Sequence, residues 1–261
     1  MMRALSIAAT GMVAQENKMN VVAHNLANAN TTGFKRQRAE FADLLPEVIA
    51  SATAPDGNGV SRPAPLESGL GVRVASTTRS WQQGDMISTN NPLDVAIQGA
   101  GLLPVRLPNG EMAYTRAGNL RIDADGRLVT QAGYALDPQI DVPRDATAVR
   151  IESDGRVVAD VEGRDDPVEL GELQLAMFQN PGGLEAMGDG VLRATEGSGA
   201  AELVRVGERG AGKLQQGFLE GANVKTVEEM IDLITTQRAY EMSSKVIQSA
   251  DQMLQRLSNL R

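Results

Sequence analysis

The sequence predicts an α+β protein whose N- and C-terminal helices pair as a coiled-coil-like module, with an inserted, mainly antiparallel β domain and an extended linker arm. Apolar residues recur every seven positions near both chain ends, which is typical of helices that pack side by side. Between the ends, short apolar runs alternate with turn residues, as in a β domain. We expect residues 1–30 and 224–261 to form the helical module, residues 31–72 the arm and residues 73–223 the β domain.

The N-terminal segment is predicted to be one long helix. Its first 29 residues contain no proline and only one glycine, Gly11. One row of the heptad comprises Leu5, Met12, Met19 and Leu26, and the row offset by three comprises Ala8, Gln15 and Val22. These two rows correspond to the a and d positions of a helix–helix seam.

The C-terminal segment repeats the pattern. Leu233, Tyr240, Ile247 and Leu254 are spaced by seven, and Thr236, Ser243, Ala250 and Leu257 occupy the intervening row. Thr226 and Glu229 have the spacing of a capping box, in which each side chain binds the other residue's free backbone N–H. We therefore place the start of the helix at Thr226.

Two interpretations of the seam are open: an ordinary core and contacts between subunits. Small or polar seam residues such as Gln15, Thr236 and Ser243 favour graded contacts between subunits over a dry core. The predicted subunit interface comprises Leu5, Met12, Met19, Val22, Leu26, Leu233, Tyr240, Ile247, Leu254 and Leu257.

A duplicated segment in the middle of the chain predicts two similar β-hairpins. Residues 121–129 (RIDADGRLV) return 29 residues later as residues 150–158 (RIESDGRVV). In both copies Asp-Gly lies between β-forming residues, and glycine relieves the positive φ of a tight turn. Residues 46–72 contain four prolines and several glycines, which disfavour a long helix and a central strand and so predict the arm.

Composition excludes several classes of function. The net charge is −8, and no basic cluster with interleaved aromatic residues is present, which excludes nucleic acid as a partner. The chain has no cysteine, and therefore no disulfide or thiolate metal site. No segment approaches the roughly 20 apolar residues that span a bilayer, so we expect no direct membrane insertion. The N-terminus resembles no cleavable signal peptide, so export would need another route.

One segment resembles a nucleotide-binding loop. Gly207–Lys213 has the glycine and lysine spacing of a P-loop, but Leu214 stands where a Ser or Thr hydroxyl must hold magnesium. Gly217 and Gly221 weaken the helix that should follow. His24 is the only histidine, so one chain assembles no histidine triad or multi-histidine metal site. We predict no catalytic, cofactor-binding or metal-binding residue and no enzymatic activity; the alternative from a different class is a nucleotide-binding enzyme that uses residues 207–213.

Both chain ends carry distinctive motifs. The N-terminal motifs are residues 9–15 (ATGMVAQ) and 25–35 (NLANANTTGFK), and the C-terminal motifs include residues 223–224 (NV), 237–241 (QRAYE) and 251–254 (DQML). Together they resemble the signature motifs of flagellar rod and hook axial proteins. The motif residues carried by this chain are Asn25, Asn28, Thr32, Gly33, Phe34, Lys35, Gln237, Arg238, Tyr240 and Glu241.

Within that family, residues 37–41, 67–73 and 90–97 are most similar to the distal-rod members. The resemblance implies a structural subunit of the distal rod that polymerises into a helical tube, transmits torque from motor to hook and needs no cofactor. The nearest alternative is a proximal rod or hook-like axial subunit, and a free adhesive or scaffold protein is a further one.

The resemblance also implies partners and a location. The partners are further copies of the chain as a homo-oligomer, proximal rod subunits, the hook protein or its junction, the surrounding P- and L-ring proteins and the flagellar export apparatus. The location is the periplasm-spanning rod of the basal body, reached through the flagellar type III apparatus without a cleaved signal peptide.

Overall fold

The computed structural model describes residues 2–52, 64–164 and 166–258. Its helices are α1 (Met2–Ala27) and α2 (Thr226–Ser258), and a short 3-10 helix spans Pro181–Gly183. The strands are β1 (Gln37–Asp43), β2 (Glu47–Ala50), β3 (Leu66–Ser68), β4 (Val72–Arg79), β5 (Met86–Ser88), β6 (Val95–Gln98), β7 (Leu103–Arg106), β8 (Met112–Thr115), β9 (Leu120–Ile122), β10 (Leu128–Thr130), β11 (Ala135–Leu136), β12 (Ala146–Ile151), β13 (Arg156–Val161), β14 (Val168–Glu172), β15 (Gln174–Met177), β16 (Glu185–Gly188), β17 (Val191–Arg193), β18 (Glu202–Arg205), β19 (Lys213–Gln216) and β20 (Phe218–Glu220). The predicted α+β fold is confirmed: terminal helices flank a mostly antiparallel β domain.

The chain forms two compact units. The helical unit comprises the described residues of Met1–Ala27, Gln37–Thr78 and Lys225–Arg261. The β unit comprises the described residues of Asn28–Arg36 and Arg79–Val224. The signature residues that follow α1 therefore group with the β unit, and the ribbon strands that follow them group with the helices.

In the helical unit, α1 and α2 pack against each other as an antiparallel pair. Asn25, near the end of α1, donates a hydrogen bond to Glu229, near the start of α2. Gly11 faces the middle of α2, where a Cβ at this position would lie in van der Waals contact, 3.7 Å from Ser243 Oγ. With 26 and 33 residues, the helices are about 39 and about 50 Å long at ~1.5 Å per residue.

The segment predicted as an irregular arm forms an antiparallel ribbon in its described residues. β1 pairs with β4, and β2 pairs with β3 in a register that places Val48 opposite Glu67. Pro46 lies directly before β2, where it removes no ladder donor, so this proline does not exclude a strand. Residues 53–63 of the arm lie outside the described residues.

The β unit is built from antiparallel strand pairs. One sheet has the order β16-β17-β8-β7-β11-β10-β9, a second has the order β12-β13-β14, and β15–β18, β19–β6 and β20–β5 form two-stranded pairs. The core beneath them is aliphatic, with fully buried side chains at Leu103, Val105, Leu128, Val157 and Leu175.

The two predicted hairpins are confirmed. β9 pairs with β10, with Leu128 opposite Ile122, and β12 pairs with β13, with Ile151 opposite Val157. In their turns Gly126 has φ 88° and Gly155 has φ 97°, the left-handed region in which glycine is preferred. The duplicated sequence thus encodes the same local structure twice.

Candidate assembly surfaces and the signature segment

The buried residues of the paired helices are small or polar. On α1 they are Ala8, Ala14, Val22 and Asn25, and on α2 they are Glu229, Thr236 and Ala250. The Thr236 hydroxyl donates to the Asp232 carbonyl at 2.6 Å, so this polar side chain is satisfied within its own helix. Short side chains allow two helix backbones to approach closely, which agrees with the contact at Gly11.

Most of the predicted interface residues keep part of their surface exposed in the single chain. Val22 is buried, Leu5, Met12, Met19, Leu26, Leu233, Ile247 and Leu254 are half-buried, and Tyr240 is exposed. The side chain of Leu257 lies outside the described residues. The buried positions of the helix contact include four residues of the intervening rows of the predicted seam, Ala8, Val22, Thr236 and Ala250. The role of the predicted interface residues between subunits stays a prediction.

A second apolar row runs along the other side of α2. This outer row comprises Val227, Met230, Ile231, Ile234, Met242, Val246 and Met253, each between 48% and 68% exposed. At about 100° per residue these side chains fall within roughly half of the helix circumference, on the side opposite Glu229 and Thr236. Exposed apolar side chains grouped on one side of a helix are typical of an interaction site, and the exposed Arg238 and Lys245 lie among them here. This row was not among the residues predicted from the sequence, although part of it has visible i, i+3 and i+4 spacing.

The ribbon of the helical unit also exposes large apolar side chains. Leu45 is 86% exposed, and Val48, Ile49 and Leu66 are each more than half exposed. The β2–β3 pair has no further strand on either side among the described residues. Both its backbone edges and its apolar side chains are thus available for contacts.

Asn25 fixes three segments of the helical unit to one another. Its side chain, which is 1% exposed, donates from Nδ2 to the Gln37 carbonyl at 2.8 Å and to Glu229 Oε2 at 3.0 Å. Its Oδ1 accepts a hydrogen bond from the Gln37 N–H at 2.8 Å. The end of α1, the start of β1 and the start of α2 meet at this amide, a role that the capping-box prediction for Glu229 did not include.

The remaining N-terminal signature residues belong to the β unit. Gly33 has φ 69°, and a Cβ there would lie 2.8 Å from the backbone of Arg116 and Ala117, so only glycine fits. The Gly33 N–H donates to the Glu220 carbonyl at 2.8 Å. Asn28 accepts a hydrogen bond from the Thr31 hydroxyl at 3.1 Å and shapes the turn before this point. The segment is therefore built into the fold of the β unit.

Lys35 lies in a buried charge cluster with Glu220 and Arg116. Its Nζ lies 2.6 Å from Glu220 Oε1 and donates to the Gln82 carbonyl at 2.7 Å. Arg116 Nε donates to Glu220 Oε2, and the Gly84 N–H donates to Oε1 at 2.9 Å. The side chains are 5%, 1% and 7% exposed for Lys35, Glu220 and Arg116. Removing one partner from such a group leaves a buried charge uncompensated.

The electrostatics of this cluster follow from two cations that share one carboxylate. Burial lowers the pKa of Lys35, a shift that Glu220 opposes and that the charge of Arg116 reinforces. Burial alone would raise the pKa of Glu220, but the charge of Arg116 and hydrogen bonds from Lys35 and the Gly84 N–H outweigh it. The pKa of Glu220 therefore lies below its usual value. The carboxylate is the better compensated partner because it receives both cations.

Asn223 ties the same segments together from the C-terminal side. Its Oδ1 accepts a hydrogen bond from the Arg36 N–H at 2.6 Å, and its Nδ2 donates to the Ser80 and Gln82 carbonyls, both at 2.9 Å. We call Lys35, Arg116, Glu220 and Asn223 the clasp. Sequence analysis missed Arg116 and Glu220 because their partners are remote in sequence. The available signal was a charged residue at the end of each short apolar strand, β8 and β20.

The C-terminal signature residues lie on the surface of α2. Gln237, Arg238, Tyr240 and Glu241 are all exposed. Contacts of these four residues with other subunits stay a prediction.

The structure does not support the alternative nucleotide site. The Gly207 N–H donates to the Gly212 carbonyl at 3.0 Å, which closes a turn between β18 and β19. Lys213 then begins β19, which pairs with β6, so a strand follows this loop where a P-loop requires a helix. Among the described residues, no cluster of His, Cys, Asp and Glu has the makings of a metal site. Within the same part of the chain, no helix has the length and apolarity that crossing a membrane requires.

Three family models match successive parts of the chain. The model described as "Flagella basal body rod protein" matches residues 5–35. The model of the "Flagellar hook protein FlgE/F/G D1 domain" matches residues 96–159. The model "Flagellar basal body rod FlgEFG protein C-terminal" matches residues 215–260. They cover α1 with the signature segment, the middle of the β unit, and α2 with the strands before it.

Full-length relatives agree with these matches. The chain is 49% identical to the flagellar basal-body rod protein FlgG of Caulobacter vibrioides and 35% identical to that of Bacillus subtilis, in each case over 100% of both chains. The flagellar hook protein FlgE of Helicobacter mustelae is 38% identical over a stretch that covers 52% of this chain and 30% of the hook protein.

Proposed function

Because the chain belongs to the flagellar basal-body rod protein family, we propose that it is a structural subunit of the distal rod that polymerises into a helical tube and transmits torque from motor to hook. The single observation that carries this proposal is full-length similarity to rod proteins of the FlgG type, including the terminal segments that hold both signature motifs. A hook-like subunit is less favoured, since similarity to the hook protein spans only 52% of this chain.

The helical unit supplies the surfaces from which a polymer would be built. Its two helices already contact each other through small residues, so the exposed outer row of α2 and the half-buried predicted row remain for neighbouring subunits. Fully burying a Val, Ile or Met side chain contributes about 1.5–3 kcal/mol, so covering the exposed half of seven such residues supports a stable contact. Repetition of that contact along a helix of subunits would yield a tube.

The ribbon would stiffen such a tube. Leu45, Val48 and Ile49 are exposed in the single chain, and their burial between adjacent copies would resist shear when torque is applied. The clasp would hold the signature segment rigidly within the β unit, so that this segment does not deform when torque is applied. This division assigns assembly to the helical unit and rigidity to the clasp.

The proposed partners and place follow from the family. Further copies of the chain, proximal rod subunits, the hook protein or its junction and the surrounding P- and L-ring proteins would contact it in the flagellar basal body. Passage through the flagellar export apparatus, without a cleaved signal peptide, would bring it to the periplasm-spanning rod. Marginal stability of the helical pair before assembly would delay polymerisation until export. We also propose that the protein is not an enzyme.

The test uses two charge substitutions on α2. Ile234→Glu replaces an apolar side chain of the outer row by a carboxylate, whereas Gln248→Glu places the same charge at an exposed position of α2 that is already polar. Neither buries a charge in the single chain, so we expect both to unfold within about 0.5 kcal/mol of the unsubstituted chain. Electron microscopy of isolated basal bodies should find rods that lack the distal part for Ile234→Glu and complete rods for Gln248→Glu. Complete rods with Ile234→Glu would refute the outer row as an assembly contact.

A further inference from the structure

A small cavity adjoins the clasp in the β unit. Its volume is about 100 Å³, and its wall includes Lys35, Trp81 and Arg116. Apolar side chains, among them Leu102 and Phe178, form much of the remaining wall. A site for one water needs roughly 10–15 Å³ on this measure, so the cavity holds more than a single water.

The wall carries more positive charge than its surroundings compensate. Lys35 and Arg116 are both buried, and Glu220 is the one carboxylate with which either of them forms an ion pair among the described residues. Two cations and one anion leave an excess of one positive charge. An uncompensated charge in a buried site is costly, which favours a bound anion.

Some hydrogen-bond donors on the cavity wall also lack an acceptor. Trp81 Nε1 is a buried donor with no hydrogen-bond partner in the described part of the chain. Arg116 uses four of its five N–H groups, on Glu220 and on the carbonyls of Ile97, Gly99 and Gly101. Lys35 uses two of its three, on Glu220 and Gln82. Leaving a buried donor without a partner is unfavourable, so these groups favour an acceptor in the cavity.

We propose that this cavity binds one small monovalent anion, of the size of a halide or a simple carboxylate. The charge of such an ion matches the excess of one, and its lone pairs accept from the indole, guanidinium and ammonium donors. Water supplies acceptors but no charge, and a divalent anion reverses the imbalance instead of removing it. Occupancy stabilises the β unit because the ion binds only the folded chain.

The signature segment thereby acquires a ligand-dependent attachment. Lys35 joins residues 28–36 to Glu220, and the anion adds a second contact between Lys35 and the Arg116 side of the cavity. Stability of the β unit therefore rises with the anion concentration around the protein until the site is full.

The only tryptophan of the chain makes the test direct. Trp81 gives one indole N–H resonance, whose chemical shift reports hydrogen bonding at Nε1. The full chain is titrated with sodium chloride and, separately, with sodium formate, with ionic strength held constant by sodium sulfate. We expect a saturable shift of the resonance and a rise in melting temperature over the same concentration range. The two arms separate a halide site from a carboxylate site.

Two variants control the experiment. Lys35→Met removes one wall cation and should weaken binding at least tenfold, whereas Lys213→Met removes an exposed lysine and should titrate like the unsubstituted chain. An indole shift that is linear and matches a tryptophan-containing peptide would overturn the proposal, as would unchanged affinity in Lys35→Met. If Lys35→Met fails to fold, crystals grown in sodium bromide and in sodium formate decide: an anomalous bromide peak or a formate ion beside Trp81 supports the site, and the absence of both refutes it.

Discussion

Glu220 is the residue on which the clasp depends. Its carboxylate receives Lys35, Arg116 and the Gly84 N–H in a site where its own side chain is 1% exposed. An amide at this position keeps the shape but leaves two buried cations without a counter-ion. The structure thus explains why a residue outside the signature motifs determines whether Lys35 can stay buried.

Substituting Glu220→Gln should therefore lower the free energy of unfolding by about 3–5 kcal/mol. Denaturant unfolding monitored by Trp81 fluorescence measures this loss. The matched control is Glu202→Gln, which removes the exposed ion pair with Arg209 and should cost no more than about 1 kcal/mol. Equal, small effects of the two substitutions would contradict a structural role for the clasp.

The lowered pKa of Glu220 also predicts a pH dependence. A carboxyl whose pKa is lower in the folded state contributes stability above its unfolded pKa of ~4.3, and this contribution is lost as the pH falls through the folded pKa. The difference in unfolding free energy between the unsubstituted chain and Glu220→Gln should thus be constant from about pH 5 to 7 and shrink below about pH 4. A difference that persists unchanged at pH 3 would show that ionisation of Glu220 is not the source of its stabilising effect.

At the scale of elements, α2 has two sides of different character. Buried Thr236 and Ala250 lie on the side that meets α1, whereas Ile231 and Ile234 lie on the exposed side. Ile247 is half-buried beside the helix contact, so part of its apolar side chain contributes to the α1–α2 contact and the rest is exposed in the single chain. One helix thus has the surfaces to hold its own chain together and to bind a neighbour.

Charged substitution at Leu26 or Ile247 should block assembly and spare the β unit. Ile247→Glu desolvates a carboxylate beside the helix pair, whereas Ile247→Val removes one methylene and should cost only about 0.5–1.5 kcal/mol. Circular dichroism should find less helix in Leu26→Glu and Ile247→Glu. The unfolding midpoint of the β unit, monitored by Trp81 fluorescence, should not change. Complete rods built by either glutamate variant would sink this prediction, and Ile247→Val should assemble normally.

At the scale of the molecule, the sequence predicted the elements better than their contacts. Heptad spacing identified both helices, and the repeated Asp-Gly segments identified two hairpins, because both signals are local. Seven-residue spacing did not separate the rows of α2, since it is compatible with either side of a helix. The clasp was not predicted because Lys35 and Glu220 are 185 residues apart and no periodicity links them.

The division of the chain also follows from the clasp. Residues 73–223, the β domain expected from sequence, lack Lys35 and the segment around it, whereas residues 28–224 include the whole clasp. A shortened chain of residues 28–224 should therefore unfold cooperatively, and one of residues 73–223 should be less stable by about 3 kcal/mol or more. Trp81 fluorescence during thermal unfolding compares them, and equal melting temperatures would contradict the assignment of residues 28–36 to the β unit.

The central claim is that this chain builds the distal rod, and rod length in cells that lack it tests that claim most directly. Electron microscopy of basal bodies isolated after deletion of its gene should find rods that stop at the proximal part and carry no hook, with full length restored by the unsubstituted chain. Complete, hook-bearing rods in the deletion strain would contradict the account.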